Sequence, residues 1–497
     1  MIALDGHNLS LEKAVRIVFG DERIAVHPDA GTQVEASHRA LQQLLSSGKA
    51  IYGINTGFGR LSNTSIPEAQ LKELQRNIVL SHAVGVGELL SEETVRAVLL
   101  FRINSLLRGN SGIRLEVVEV LIDLLNHRIH PCIPAQGSVG ASGDLCSLAH
   151  ISLILLGEGR AVHNGEEIDG KEALVRIGRD PLLLGPKEGL ALLNGTQYMS
   201  GLGFLCYVFG KRLLTNAIAA ACLSLEAMRA FSAPFAERLQ QSRPHSGQVS
   251  VAAHIRRLLS KSRLMDSLTE DVQDPYSLRC IPQVLGPTWE ALSFLKEKLE
   301  IEINSATDNP LIFSDGTVLS GGNFHGQILG LALETFSMAF AEIGNIAERR
   351  IDQLLTSAAR GLPSFLVENG GLNSGLMLTQ YVAASLVSEN KVLCHPALVD
   401  SIPTSGGKED HNSMASISAR KALQLLANLD RIIAIEYLCA SQALDFRDAS
   451  KMSPRTRAIY ERVRRYVSHL EQDRILSPDI ECIARTISSG ELIDDIL

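Results

Sequence analysis

The sequence predicts a mainly α protein: an elongated bundle of long helices with a smaller N-terminal region, assembled as a homotetramer. Two proline-free stretches, 324–355 and 414–444, carry apolar residues at helical spacing throughout. At 1.5 Å per residue the first alone makes a helix of about 45–50 Å. Strand signals are few and short, the clearest being 317–319 beside Asp315-Gly316, and neither βαβ alternation nor a tandem repeat is visible. Helices this long and apolar need partners in water, so the bundle is expected to be shared between copies with dihedral symmetry.

Along the chain, 34–47 repeats apolar residues helically and stops at Gly48, a C-cap candidate. Ser91-Glu92-Glu93-Thr94 opens a helix running to Leu107-Arg108 and ended by Gly109, with acidic start and basic end matched to the dipole. Residues 109–113 form a loop, and 115–125 resumes the helix. A helix over 144–156 follows a Ser-Gly turn directly, which places that turn at a positive helix end. The apolar stretch 199–228 is interrupted by Lys211, Arg212, Asn216 and Glu226, so it reads as buried helix rather than membrane span. Gly185-Pro186 marks a soft boundary, giving an N-terminal region over 1–200 and the long-helix bundle over 201–497.

Composition narrows the function classes. The 497 residues suffice for one to three domains, and 45% hydrophobic with 21% charged residues is ordinary for a globular protein. A net charge of −8, with basic clusters no denser than Arg349-Arg350 and Arg462, Arg464, Arg465, argues against a nucleic-acid partner. The first residues lack the basic and apolar blocks of a signal peptide. Eight cysteines are scattered without a CxxC pair, so reduced thiols in the cytoplasm are expected, with no zinc site.

Residues 137–145 read Gly-Ser-Val-Gly-Ala-Ser-Gly-Asp-Leu. Small residues let the chain bend tightly enough for the Gly143 nitrogen to attack the Ala141 carbonyl and close a five-membered ring. Loss of water, including the Ser142 hydroxyl, leaves an exocyclic methylidene, an electrophile that no ordinary side chain supplies. Gly143 suits the attack because it lacks a Cβ. On these three residues alone a plain Gly-Ser turn is the commoner reading.

Other segments stand around it. They are Tyr52-Gly53-Ile54-Asn55-Thr56-Gly57-Phe58-Gly59, Ser81-His82-Ala83, Leu193-Asn194-Gly195-Thr196-Gln197 and Gln273-Asp274-Pro275-Tyr276-Ser277-Leu278-Arg279, then Asp308-Asn309-Pro310, Gly321-Gly322-Asn323-Phe324-His325 and Glu409-Asp410-His411. Together, and in this order, they resemble the histidine and aromatic amino-acid ammonia-lyases over nearly the whole chain. The resemblance implies a 4-methylidene-imidazol-5-one formed from Ala141, Ser142 and Gly143, with no external cofactor, in an N-terminal catalytic region. It implies that Tyr52 is the acid/base on a glycine-studded loop. A phenol of ordinary pKa near 10 then needs help from a cation or a helix N-terminus. Tyr276 would line the electrophile, and Arg279 would take the substrate α-carboxylate in its fork. Asn194 would hydrogen-bond the ring or the substrate, whereas Gln197 reads as satisfying loop backbone. Gln273, Asn309 and Phe324 are further site candidates.

Substrate choice falls on His82 and Glu409. Glu at the latter place resembles the histidine enzymes, and a carboxylate pairs with an imidazole N–H in a way that a phenyl ring cannot match. The implied reaction is elimination of ammonia from L-histidine to give trans-urocanate. The same machinery on tyrosine or phenylalanine, or a 2,3-aminomutase, is the alternative. Gly407-Lys408 replaces the Asn-Gln of the histidine enzymes, so Lys408 could neutralise Glu409. Met377 reads as an apolar wall or as core. Metal binding by Glu409, Asp410 and His411 with His395 and His325 lacks a supporting spacing. The Gly-Ser-Ser-x-Met-Pro-x-Lys loop of the fumarase group is absent, and retention of Ser142, Tyr52, Tyr276 and Arg279 argues against a scaffold without activity.

Overall fold

The longest uninterrupted apolar stretches form the longest helices. In the computed structural model, which describes residues 1–46, 52–61, 63–268 and 271–493, these are Gln197–Ala227, Ile281–Glu302, Gln327–Thr356 and Ala415–Asp445. The third starts three residues later than 324 because a turn, with His325 N–H donating to Gly322 O at 2.9 Å, precedes it. Gln197–Ala227 is long and apolar enough to cross a membrane, yet 78% of its most apolar window is buried within the protein. The expected C-cap Gly48 lies outside the described residues; its helix runs Pro28–Ser46.

The chain gathers into two units. One takes Met1–Leu205, Lys296–Leu333 and Pro396–Arg420; the other takes Cys206–Leu295, Glu334–His395 and Lys421–Leu497. The segments that return late to the first unit leave no composition mark, since Gly/Pro punctuation reports breaks along the chain and not reunions in space.

In the first unit, Glu92–Leu106 is the central helix, buried on every side from Thr94 onward. Ser91 caps its start by accepting from Thr94 N–H. Two arginines on this helix satisfy the ends of its neighbours. Arg96 donates to Ile17 O, Val18 O and Leu125 O at the ends of Leu11–Val18 and Leu115–Asn126, carbonyls that have no intrahelical partner. Arg102 does the same for the short helix Glu188–Leu193. Strands are short, as expected. They form a parallel pair Ile2–Leu4/Ile24–Val26, antiparallel pairs Val86–Leu89/Pro134–Gln136 and Leu311–Ile312/Val318–Leu319, and a three-stranded sheet centred on Arg160–His163.

The second unit is a helix bundle. Phe336 and Phe340 stack at 3.9 Å between ring centroids. Arg350, on Gln327–Thr356, grips Glu436, on Ala415–Asp445, through two bonds of 2.5 and 2.7 Å, with both side chains fully buried. Ser224 adds a third hydrogen bond to Glu436 at 2.8 Å. Removing one partner of such a pair strands a charge in the interior. We therefore expect Arg350→Ala to cost about 3–5 kcal/mol and the double variant Arg350→Met/Glu436→Leu to cost much less. Urea unfolding of the three chains checks this, and equal losses in both variants would contradict it.

Candidate active site

Ala141, Ser142 and Gly143 form a sharp reversal in which Ala141 and Gly143 pair across Ser142. Gly143 has φ +74°, and a Cβ there would fall 2.2 Å from Gly195 O. The same approach lets Asp144 N–H donate to Gly195 O at 2.7 Å. The reversal thus lies at the start of Leu145–Leu155 and beside the start of Gln197–Ala227. Two helix N-termini favour negative charge developing at this point.

Two buried charged residues hold the reversal, and sequence reasoning assigned a role to neither. The Asp144 side chain accepts from Ser138 Oγ at 2.8 Å and from Met199 N–H at 2.9 Å, so it fastens the two helix starts together. Full burial pushes its carboxyl up to about 7 against the pull of these donors. Arg102, also fully buried, donates to Asn194 O at 2.9 Å, to Gln197 Oε1 at 2.7 Å and to Ala191 O. Gln197, expected to satisfy loop backbone, instead bonds side chains at both ends of its amide: its Oε1 accepts from Arg102 and its Nε2 donates to Thr307 Oγ1 at 2.8 Å. Asn194 is left with its amide facing the reversal. Its Nδ2 donates to Ser142 O at 3.1 Å, while its Oδ1 is buried without a partner among the described residues.

Ser142 and Asn194 line a cavity of about 570 Å³ in the first unit, within the range of roughly 300–1,000 Å³ common for small-molecule sites. The last turns of the helix Leu71–His82 supply Asn77, Ile78, Ser81 and His82 from one face. Asn77 was missed, although its spacing from Ser81 could have revealed it. Leu145, Leu190 and Phe58 add apolar surface. Tyr52, Gly57 and Gly59 come from the glycine-studded loop, and Ser405 and Glu409 from a late segment. These two segments touch: a Cβ on Gly59 would sit 2.2 Å from Ser405 Oγ, and Arg60 donates to Gly406 O at 3.0 Å.

Glu409 meets the reversal directly. Ser142 Oγ donates to its Oε1 at 2.9 Å, and Thr404 Oγ1 donates to its Oε2 at 2.7 Å. Lys408 is exposed, and the carboxylate rests on these hydroxyls. His82 donates from Nδ1 to Ile78 O at 2.8 Å, so the neutral ring carries its lone pair on Nε2. Burial pushes its pKa below the ordinary value, against the attraction of Glu409. Tyr52 accepts from Gly59 N–H at 3.4 Å. Burial, reinforced by the Glu409 carboxylate, raises its pKa, opposed by that hydrogen bond. The lowering expected of a base is therefore not supplied within this chain.

The remaining candidates lie elsewhere. Gln273 and Tyr276 are exposed in the second unit, with Arg279 stacked 4.6 Å over the Tyr276 ring. Asn309 accepts from Gly321 N–H at 2.9 Å, and neither it nor Phe324 lines the cavity. Met377 begins the helix Met377–Leu393, also in the second unit. His325 and His411 stack at 5.8 Å between centroids, and no group of three potential ligands occurs among the described residues.

The family model described as aromatic amino acid lyase matches residues 9–465. The chain belongs to the aromatic amino acid lyases. It is 48% identical to a histidine ammonia-lyase of Geobacillus sp. (strain WCH70), covering 98% of this chain and 96% of that one. Its fold matches the crystal structure of histidine ammonia-lyase from Trypanosoma cruzi with TM-score 0.92 and 40% identity, over 100% of this chain and 94% of that one. It also matches a tyrosine aminomutase from Streptomyces globisporus with TM-score 0.95 and 36% identity, over 99% and 98%.

Aromatic amino acid lyases use the autocatalytic 4-methylidene-imidazol-5-one and need no external cofactor, and the residues here fit that group. Ala141 and Gly143 already face one another across Ser142, Gly143 has no room for a Cβ, and Asn194 presents an unpaired buried acceptor beside them. Ring closure and dehydration each remove one water, so the intact chain should weigh about 36 Da less than its sequence. Gly143→Ala should keep the full mass, because the added Cβ forces Gly143 away from Gly195. Intact-mass spectrometry of both chains checks this.

Proposed function

We propose that this chain eliminates ammonia from L-histidine to give trans-urocanate, as a cytoplasmic homotetramer whose sites draw on more than one copy. The observation that carries the substrate is the presence of Glu409 and His82 in the cavity that contains Ser142. A protonated imidazole offers one N–H to the carboxylate and its second to His82 Nε2, a pair of contacts that phenyl and phenol rings cannot reproduce. When formed, the prosthetic group supplies an electrophilic carbon for the substrate amine. The chain's own residues do the rest. Asn194 Oδ1 accepts from the substrate or the ring, and Tyr52 moves the β-proton. The start of Leu145–Leu155 stabilises negative charge.

Tyr276 and Arg279 complete this reading from a second copy. Neither lines the cavity of its own chain, and Tyr276 is 72% exposed. Arg279 of a second copy would take the α-carboxylate and bring the cation that Tyr52 lacks. Gln273, Asn309 and Phe324 are assigned to the same shared site. The region 1–200 carries the prosthetic-group loop, and 201–497 supplies the bundle. The likeness to a tyrosine aminomutase supports a second reading, the same machinery on tyrosine or returning ammonia to the β-carbon.

Glu409→Gln should lower histidine turnover at least about tenfold, a lost charge-assisted hydrogen bond, while sparing minor activity on phenylalanine. Rates on histidine, tyrosine and phenylalanine with product identification decide this. Equal losses would make Glu409 a general residue, and wild-type preference for tyrosine would overturn the substrate. Arg279→Ala should weaken all α-amino acids alike. Light scattering should find a tetramer, and a fully active monomer would rule out shared sites.

A further inference from the structure

We propose that Thr404 is the positioning residue for Glu409, fixing one carboxylate oxygen so that the other is left to read the substrate side chain. This rests on the assignment of Glu409 as the imidazole reader. The Asn412 amide sets the direction of the whole chain of contacts. Its Nδ2 donates to Ile402 O at 2.6 Å, and a carbonyl can only accept, so the nitrogen end of the amide is fixed. The same Nδ2 donates to Thr404 Oγ1 at 3.2 Å. Asn412 is itself 1% exposed, and its backbone N–H is held by Ser401 Oγ at 2.8 Å. Having accepted from Asn412, the Thr404 hydroxyl turns its proton to Glu409 Oε2 at 2.7 Å. Backbone pairing of Thr404 with Glu409, with Thr404 N–H donating to Glu409 O at 2.8 Å, closes the turn that carries both.

The other oxygen, Oε1, has the Ser142 hydroxyl as its donor. That hydroxyl leaves as water when the prosthetic group forms. Maturation therefore frees Oε1 and leaves Oε2 where Thr404 holds it. The carboxylate cannot then rotate both oxygens toward the substrate or away from it. Tyr52 and His82 are the titratable groups that face Glu409 across the cavity, Arg60 reaches Gly406 in the same turn, and Lys408 and Asp410 flank Glu409 as exposed neighbours.

The test compares wild type, Thr404→Ser and Thr404→Val by intact mass and by kcat and KM for histidine, read as urocanate absorbance. All three should show the loss of about 36 Da that marks the mature group. The serine variant, which keeps the hydroxyl, should stay within about twofold of wild type. The valine variant should raise KM for histidine about tenfold with a smaller change in kcat. A wild-type KM in the valine variant would overturn the proposal. So would a serine variant as impaired as valine, or a valine variant that keeps its full mass and so places Thr404 in maturation. A wild-type chain inactive on histidine overturns the functional reading itself, a result separate from an active wild type that the valine variant matches.

Discussion

The site depends on one buried cation. Arg102 projects from the middle of the central helix of the first unit, and no water reaches it. Burial lowers its pKa to about 10, which leaves it charged at neutral pH. It persists because its two terminal nitrogens meet acceptors that the fold leaves open, the carbonyls of Ala191 and Asn194 at the end of a short helix and the Gln197 amide oxygen. A planar fork answers several acceptors at fixed angles, as an ammonium does not. With residues 191–197 so pinned, Gly195 O meets Asp144 and the Asn194 amide meets Ser142. The buried pair Lys187–Asp308, at 2.6 Å, stands close enough for Asp308 to attract Arg102 as well.

Electrostatics inside the cavity follow from burial acting in opposite directions on different groups. Raising a phenol and lowering an imidazole both yield neutral side chains, so Tyr52 and His82 face the ligand uncharged. Among the described lining residues Glu409 is the one carboxylate, and no Lys or Arg accompanies it. An amino acid entering such a space finds a place for a cationic or N–H-bearing side chain. Its own α-carboxylate must find a counter-charge from elsewhere, which is why Arg279 of a second copy completes the proposal.

Helix positions were legible in the sequence because periodicity, caps and dipole-matched charges are local. Ser91 capping Glu92–Leu106, with Glu92 and Glu93 in its first turn, is an example. Tyr52, His82, Ser142, Asn194 and Glu409 were also legible, through the order of their motifs, and the structure gathers all five around one cavity. Arg102, Asp144 and Thr404 were not. Nothing in the type of an isolated Arg, Asp or Thr announces which carbonyl or carboxylate it will meet: Arg102 meets carbonyls 89 and 92 residues along the chain, Asp144 an amide 55 residues along, and Thr404 meets Glu409 only because of the turn between them. Glu92–Leu106 shows the same limit. A helix buried on all sides has no polar face, so its pattern gives no sign of its central place.

The touching segments around Gly59 and Ser405 bear on how a permanently reactive enzyme protects itself. One segment carries Tyr52 and the other carries Glu409, and they are joined by the Arg60–Gly406 hydrogen bond and by a contact too close for a side chain at Gly59. Any excursion that parts them withdraws Tyr52 and Glu409 at once, the residues to which the proposed function gives proton transfer and side-chain recognition. An electrophile made from backbone cannot be switched off by protonation, and cellular thiols and amines are abundant. Tying recognition and proton transfer to one closure leaves the open site with little grip on a stray nucleophile and no means of completing its reaction.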